Sequence, residues 1–75
     1  AWPSALSLWK EALSLAPDND DYRIGYVKTL ADARRDRLAL SEARQLVKDN
    51  PSPAHLETLS YVWMRQGKKQ GSAAG

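Results

Sequence analysis

Few side chains in this sequence are equipped for chemistry, and their spacing decides which chemistry is open to them. His55 is the single histidine and there is no cysteine. A zinc site would therefore need several carboxylates gathered around one imidazole, and a thiolate site is excluded. A Ser-His-Asp set can be drawn on paper from His55 and the scattered serines, but no nucleophile elbow, glycine-rich phosphate loop or metal-ligand spacing orients one. The sequence thus predicts no enzyme, no metal and no cofactor. Near the start of a helix, His55 reads as an exposed polar residue, and the adjacent carboxylates Asp20 and Asp21 read as helix caps. What remains is binding chemistry, carried by carboxylates, by basic side chains between them, and by three Trp and three Tyr.

These groups can act only where helices hold them. With 75 residues and 8.4 kDa the chain is one domain or part of one, and it buries little surface on folding. The 11 Lys and Arg and 9 Asp and Glu leave a net charge of +2 with the signs interspersed, which describes a solvated surface and no nucleic-acid footprint. No apolar run reaches membrane-spanning length, and the first residues lack the charged-then-apolar pattern of a signal peptide.

The element pattern comes from an internal repeat. Pro17 and Pro51 stand 34 positions apart, and at that offset Ala5, Leu6, Trp9, Ala12 and Leu13 align with Ala39, Leu40, Ala43, Leu46 and Val47. The spacing i, i+1, i+4, i+7, i+8 is one face of an α-helix. At the same offset Tyr22, Val27 and Leu30 align with Leu56, Tyr61 and Met64, a second helix type with its own apolar stripe. Pro17 and Pro51 end the helices before them; Asp20 or Asp21 caps one start, Ser52 with Pro53 another, and Gly67 supplies a stop. The sequence predicts helices over residues 4–16, 21–33, 37–49 and 53–66. The tail 68–75 reads either as a frayed end or as the start of a further helix, with Ala73 in register with Ala5 and Ala39.

On these residues the chain resembles the tetratricopeptide repeat (TPR) family: the period is 34, Ala5, Ala39 and Ala73 fall at its small close-approach position, and Pro17 and Pro51 at its terminal proline. It departs from that pattern at Val27 and Tyr61, where a small residue is usual, and at Arg34, where a glycine usually closes the first helix, with Gly67 one place early. The stretch "SLWKEALSLAPDNDDYRIGYVKTLADA" is more specific. Leu8, Trp9, the run 12–15, Pro17, Asn19, Asp21, Tyr22, Gly25 and the run 29–33 resemble the periplasmic TPR region of the outer-membrane porins that export poly-β-1,6-N-acetyl-D-glucosamine.

That resemblance implies an all-α solenoid of antiparallel helix pairs, a fragment of a larger superhelix. Residues 4–16 would be the second helix of one repeat, 20–53 a full repeat and 53–66 the first helix of the next. It implies a periplasmic location, with the membrane reached only through a β-barrel absent from this sequence. It also implies two partners, the partly de-N-acetylated polymer and the periplasmic deacetylase that produces it. The concave face of such a solenoid is lined by first helices, which puts Asp21, Ile24, Lys28 and Asp32 on it from one repeat and His55, Thr58, Leu59, Val62 and Arg65 from the next. Asp21 and Asp32 would meet glucosamine ammonium groups, while Lys28 and Arg65 dilute that field. Trp9 and Tyr26 read as core; Trp63 reads either as a seal between repeats or as a sugar platform. The carboxylate clamp of chaperone-binding TPRs is absent, since Ile24, Gly25, Thr58 and Leu59 occupy its positions. A general protein-binding TPR adaptor is the alternative reading, and exposed edges carrying Trp2 and Trp63 would allow self-association.

Overall fold

The computed structural model describes the backbone of residues 2–74 and the side chains of residues 4–67. Four helices follow one another: α1 (Trp2–Leu15), α2 (Asp20–Asp32), α3 (Asp36–Asp49) and α4 (Pro53–Ala74). No strand occurs among the described residues, in keeping with the all-α expectation.

Local chemistry sets most of the boundaries, though not always through the expected residue. The N-cap of α2 is Asn19, whose Oδ1 accepts the Tyr22 N–H at 3.1 Å, so the cap is neither Asp20 nor Asp21. Both aspartates instead sit in the first turn, where negative charge faces the positive end of the helix. Ser52 does cap α4, accepting the His55 N–H at 3.2 Å, with Pro53 in the first helical position. The stop expected at Gly67 does not occur. Among the described residues no glycine adopts positive φ, and α4 passes straight through to Ala74, because glycine weakens a helix by about 1 kcal/mol without forbidding it. Residues 68–74 therefore continue α4 and do not begin a separate helix. The side chain of Ala73, the contacts expected of Trp2, and Gly75 lie outside the described residues.

Arg34 occupies the place where the pattern wants glycine, and the backbone shows why. Its φ is 64°, in the left-handed region. The Arg34 N–H reaches the Ala31 carbonyl at 3.2 Å and the Arg35 N–H reaches Leu30 at 2.9 Å, the paired bonds of a Schellman turn that satisfies the last carbonyls of α2. A side chain there costs about 1–2 kcal/mol. Arg34→Gly should therefore raise stability by up to about 1 kcal/mol once glycine's greater freedom in the unfolded chain is subtracted. Urea unfolding checks this, and an unchanged or lower midpoint would contradict it.

Consecutive helices run antiparallel. Leu13 and Arg23 line one depression and Leu6 and Leu30 another, which sets α1 against α2 end to start. Arg23 pairs with Asp49 at 2.9 Å across α2 and α3. Gln66 donates to the Asp36 carbonyl at 3.0 Å across α4 and α3. Contacts from Asp20 to His55 and from Asp32 to Tyr61 run in the same order along both helices, so α2 and α4 lie parallel and touch directly. The core between them is Leu6, Val27, Leu30, Ala31, Ala39, Ala43, Leu46 and Val62. Ala39 and Ala43 are wholly buried, the small side chains that let α3 approach both neighbours.

The two helix pairs solve the same packing problem with sizes exchanged. In the first pair Trp9 lies over Gly25 so closely that a Cβ on that glycine would stand 2.5 Å from the Trp9 Cη2. Trp9 Nε1–H donates to Thr29 Oγ1 at 2.9 Å, and Thr29 in turn donates to the Gly25 carbonyl. In the second pair the corresponding residues are Ala43 and Leu59, and Leu59 packs on the buried cluster that contains Ala43. The large residue thus moves from the α1 register position to that of α4, Trp9 and Gly25 being exchanged in size for Ala43 and Leu59.

Candidate ligand-binding face

The seam between α2 and α4 gathers most of the charged residues expected to meet a ligand. Asp32, in the last turn of α2, accepts the Tyr61 hydroxyl at 2.6 Å and pairs with Arg65 Nε at 3.2 Å. One turn earlier, Lys28 Nζ lies 3.6 Å from Glu57 Oε1 and 5.4 Å from the Tyr61 ring centroid, over the negative face of the ring. The hydrogen bond to Asp32, then burial, then the Asp32 charge push the Tyr61 hydroxyl above its ordinary pKa, with Arg65 working the other way. Tyr61 and Glu57 were not among the expected contacts. Their signal was present in the sequence, because Glu57, Tyr61 and Arg65 recur at intervals of four on one side of a helix.

The remaining expected residues are not brought to this cluster. Asp21 is exposed in the first turn of α2, three turns from Asp32. Trp63 is 52 % exposed, and it lies two positions from both Tyr61 and Arg65, hence on the opposite side of α4. It neither seals the α2–α4 seam nor shares a surface with Asp32.

His55 and Thr58 are corrections. His55, expected to be exposed, is only 2 % exposed, and Thr58 is wholly buried with its hydroxyl donating to the Ala54 carbonyl at 2.8 Å. Neither side chain is offered to a ligand. His55 Nδ1 lies 2.9 Å from the Leu46 carbonyl and 2.7 Å from the Asn50 carbonyl, while Nε2 lies 2.5 Å from Asp20 Oδ1. The atoms facing the ring nitrogens are two carbonyl oxygens and a carboxylate oxygen, an arrangement that favours the doubly protonated ring. Burial acts to lower the pKa, but the bonds to Asp20 and to the two carbonyls outweigh it, and the net shift is upward. His55 thus pins the end of α3 and the start of α2 to the first turn of α4.

The seam is mixed in charge, Asp32 and Glu57 against Lys28 and Arg65, with Asp21 exposed three turns away along α2. It can hold ammonium or hydroxyl groups, and it carries no activated nucleophile. Among the described residues no group of three His, Asp or Glu could hold a metal ion, and no helix is long and apolar enough to cross a membrane. The outer face of α3 differs, with Arg37, Arg44 and Lys48 around a shallow depression floored by Leu40, a surface that would repel a polycation.

No family model matches the sequence, and no solved structure matches it. Over 69 residues, 92 % of the chain, it is 41 % identical to the poly-beta-1,6-N-acetyl-D-glucosamine export protein of Escherichia coli strain K12, and it is as similar to that of Escherichia coli O157:H7. The chain spans about 9 % of the length of these curated relatives. Along nearly its whole length, then, the chain is similar to one segment of a polysaccharide export protein.

Proposed function

We propose that the chain is a non-catalytic TPR-type scaffold in the periplasmic part of an exporter of poly-β-1,6-N-acetyl-D-glucosamine, guiding the partly de-N-acetylated polymer, docking the periplasmic deacetylase, or both. The observation that carries this is the 41 % identity over 69 residues to an export protein for that polymer. Antiparallel helix pairs, a parallel α2 and α4, and a buried Ala39 at the small-residue register position support the repeat assignment. The polymer reading rests on Asp21 and Asp32, about 16 Å apart along one stripe of α2, where ammonium groups of different sugar units would meet them. Asp32 is already shared with Arg65 and Tyr61, so an incoming ammonium group must compete, and the affinity is weak. The same engagement of Asp32 favours protein docking as the second reading, whether by the deacetylase or in a general adaptor.

A β-1,6-linked glucosamine oligomer with free amines should bind wild type weakly, and several-fold less tightly at high salt than at low salt. Changing Asp32 to Asn should reduce the low-salt affinity further. Thermophoresis at two salt concentrations reads both effects. Salt-independent binding, or equal binding by the Asp32→Asn chain, would remove the polymer reading and leave protein docking.

A further inference from the structure

Across α2 from the charged seam runs a groove. The helices α1 and α3 both pack on α2, yet among the described residues their backbones do not approach one another, and the strip of α2 between them is the groove's floor. Two depressions of about 160 and 190 Å³ lie along it, and Tyr26 borders both. Leu13, Val27 and Leu46 line the first, with Glu42 beside them. Leu6 and Leu38 line the second, with Lys10 and Arg35. Floor and walls are three consecutive helices, so the groove is complete within residues 6–46. Its polar groups differ from those of the α2–α4 seam, where Lys28, Asp32, Tyr61 and Arg65 are all engaged with one another or with Glu57. In the groove the Tyr26 hydroxyl and the side chains of Lys10, Arg35 and Glu42 have no hydrogen-bond or ion-pair partner among the described residues. Burial, and then the charge of Glu42, raise the Tyr26 pKa, so the hydroxyl keeps its proton to donate.

We propose that this groove binds an extended, polyproline-II segment of a partner protein that carries an apolar side chain and, three residues away, a carboxylate. A cavity of about 150 Å³ holds a benzene-sized group, so the first depression takes one apolar side chain. Lys10 and Arg35 give the second a positive rim, whose complement is an acidic residue. From Leu13 to Leu6 the two depressions are two turns of α1 apart, about 10 Å. A polyproline-II helix repeats every three residues and rises about 3.1 Å at each, which sets residues i and i+3 on one side at about that distance. Its backbone carbonyls have no internal partner, and the Tyr26 hydroxyl stands between the depressions to donate to one, as aromatic side chains do in grooves that read such segments. The amine-bearing polymer is not the occupant, because Lys10 and Arg35 would repel its ammonium groups. The groove and the seam are separate surfaces, Tyr26 and Lys28 being two positions apart and hence on opposite sides of α2.

Selection of a phage-displayed library of random proline-containing peptides on the chain tests this. Wild type should enrich sequences with an apolar residue and an Asp or Glu three places apart, in either order. A synthetic peptide from that pool should shift the amides of Lys10, Tyr26 and Glu42 in an NMR titration and leave those of Lys28 and Arg65 in place. A chain carrying both Lys10→Glu and Arg35→Glu, two exposed positions, with folding checked by circular dichroism, should bind the peptide several-fold less tightly and should enrich Lys or Arg where wild type enriches the acid. Failure of wild type to enrich any such sequence would overturn the proposal. So would a peptide that shifts the α2–α4 seam instead, or one that binds the charge-reversed chain as well as wild type.

Discussion

Trp9→Ala and Gly25→Leu should each destabilise the fold alone and rescue one another in combination. Removing a half-buried indole forfeits its contacts with Gly25 and Tyr22 and its bond to Thr29, a loss of about 2–4 kcal/mol, short of the full cost at a wholly buried site. Placing leucine at Gly25 drives a side chain into a ring already 2.5 Å from the nearest Cβ position. Overpacking of this kind costs about 1–3 kcal/mol, and leucine's better helix propensity returns only part of it. The double substitution recreates at α1–α2 the small-on-large arrangement that Ala43 and Leu59 make at α3–α4, so the pair should couple favourably by about 1–3 kcal/mol. Urea unfolding of the four chains measures that coupling. Strictly additive losses would mean that the two helix pairs do not share a packing register. In a chain of this size either single loss is a large share of the total stability, about 0.05–0.15 kcal/mol per residue.

Stability should also fall as the solution turns alkaline, and His55 is the reason. Its folded pKa lies above the ordinary histidine value, so the stabilisation is fully present below about pH 6.5 and is lost as the pH rises through the raised folded pKa. Deprotonation turns a nitrogen lone pair toward Asp20 if Nε2 loses its proton, or toward the Asn50 and Leu46 carbonyls if Nδ1 does. His55→Ala should cost about 1.5–3 kcal/mol at pH 6, the range for hydrogen bonds to a charged group, and should flatten the pH dependence above neutrality. Asp20→Asn should lower the histidine's pKa and move the stability loss to lower pH. Thermal melts from pH 5.5 to 9.5, paired with NMR titration of the His55 ring protons, read both. A wild-type melting temperature that stays level across this range would contradict a raised His55 pKa in the folded chain.

The helices were legible because proline, serine and small-residue spacing act locally. Pro17, Pro51 and the Ser52-Pro53 pair mark ends and starts through bonds within a few residues. Ala39 declares itself by repeating Ala5. The failures share a different cause. His55 looked exposed because the partners that bury it are two backbone carbonyls around the end of α3 and a carboxylate on α2, none of which a helical pattern reports. Gly67 looked like a stop because glycine is permissive, and permission is not a requirement. Arg34 stood out as a missing glycine, and its φ of 64° shows that the position does demand the left-handed backbone even without one. At the candidate face the sequence supplied Lys28, Asp32 and Arg65 on the correct helices. What brings them together is the parallel contact of α2 and α4, which also draws in Tyr61 and Glu57. Trp63 failed as a member of that face for a simple angular reason, lying across the helix from Tyr61.

The central claim is that the α2–α4 seam handles a polymer with exposed amines, and an NMR titration of the isotopically labelled chain tests it most directly. A β-1,6-linked glucosamine oligomer with free amines should shift the amides of Asp21, Lys28, Asp32 and Arg65 progressively, while the fully N-acetylated oligomer of equal length should shift them little. Equal shifts with both oligomers, or none along α2, would contradict the account.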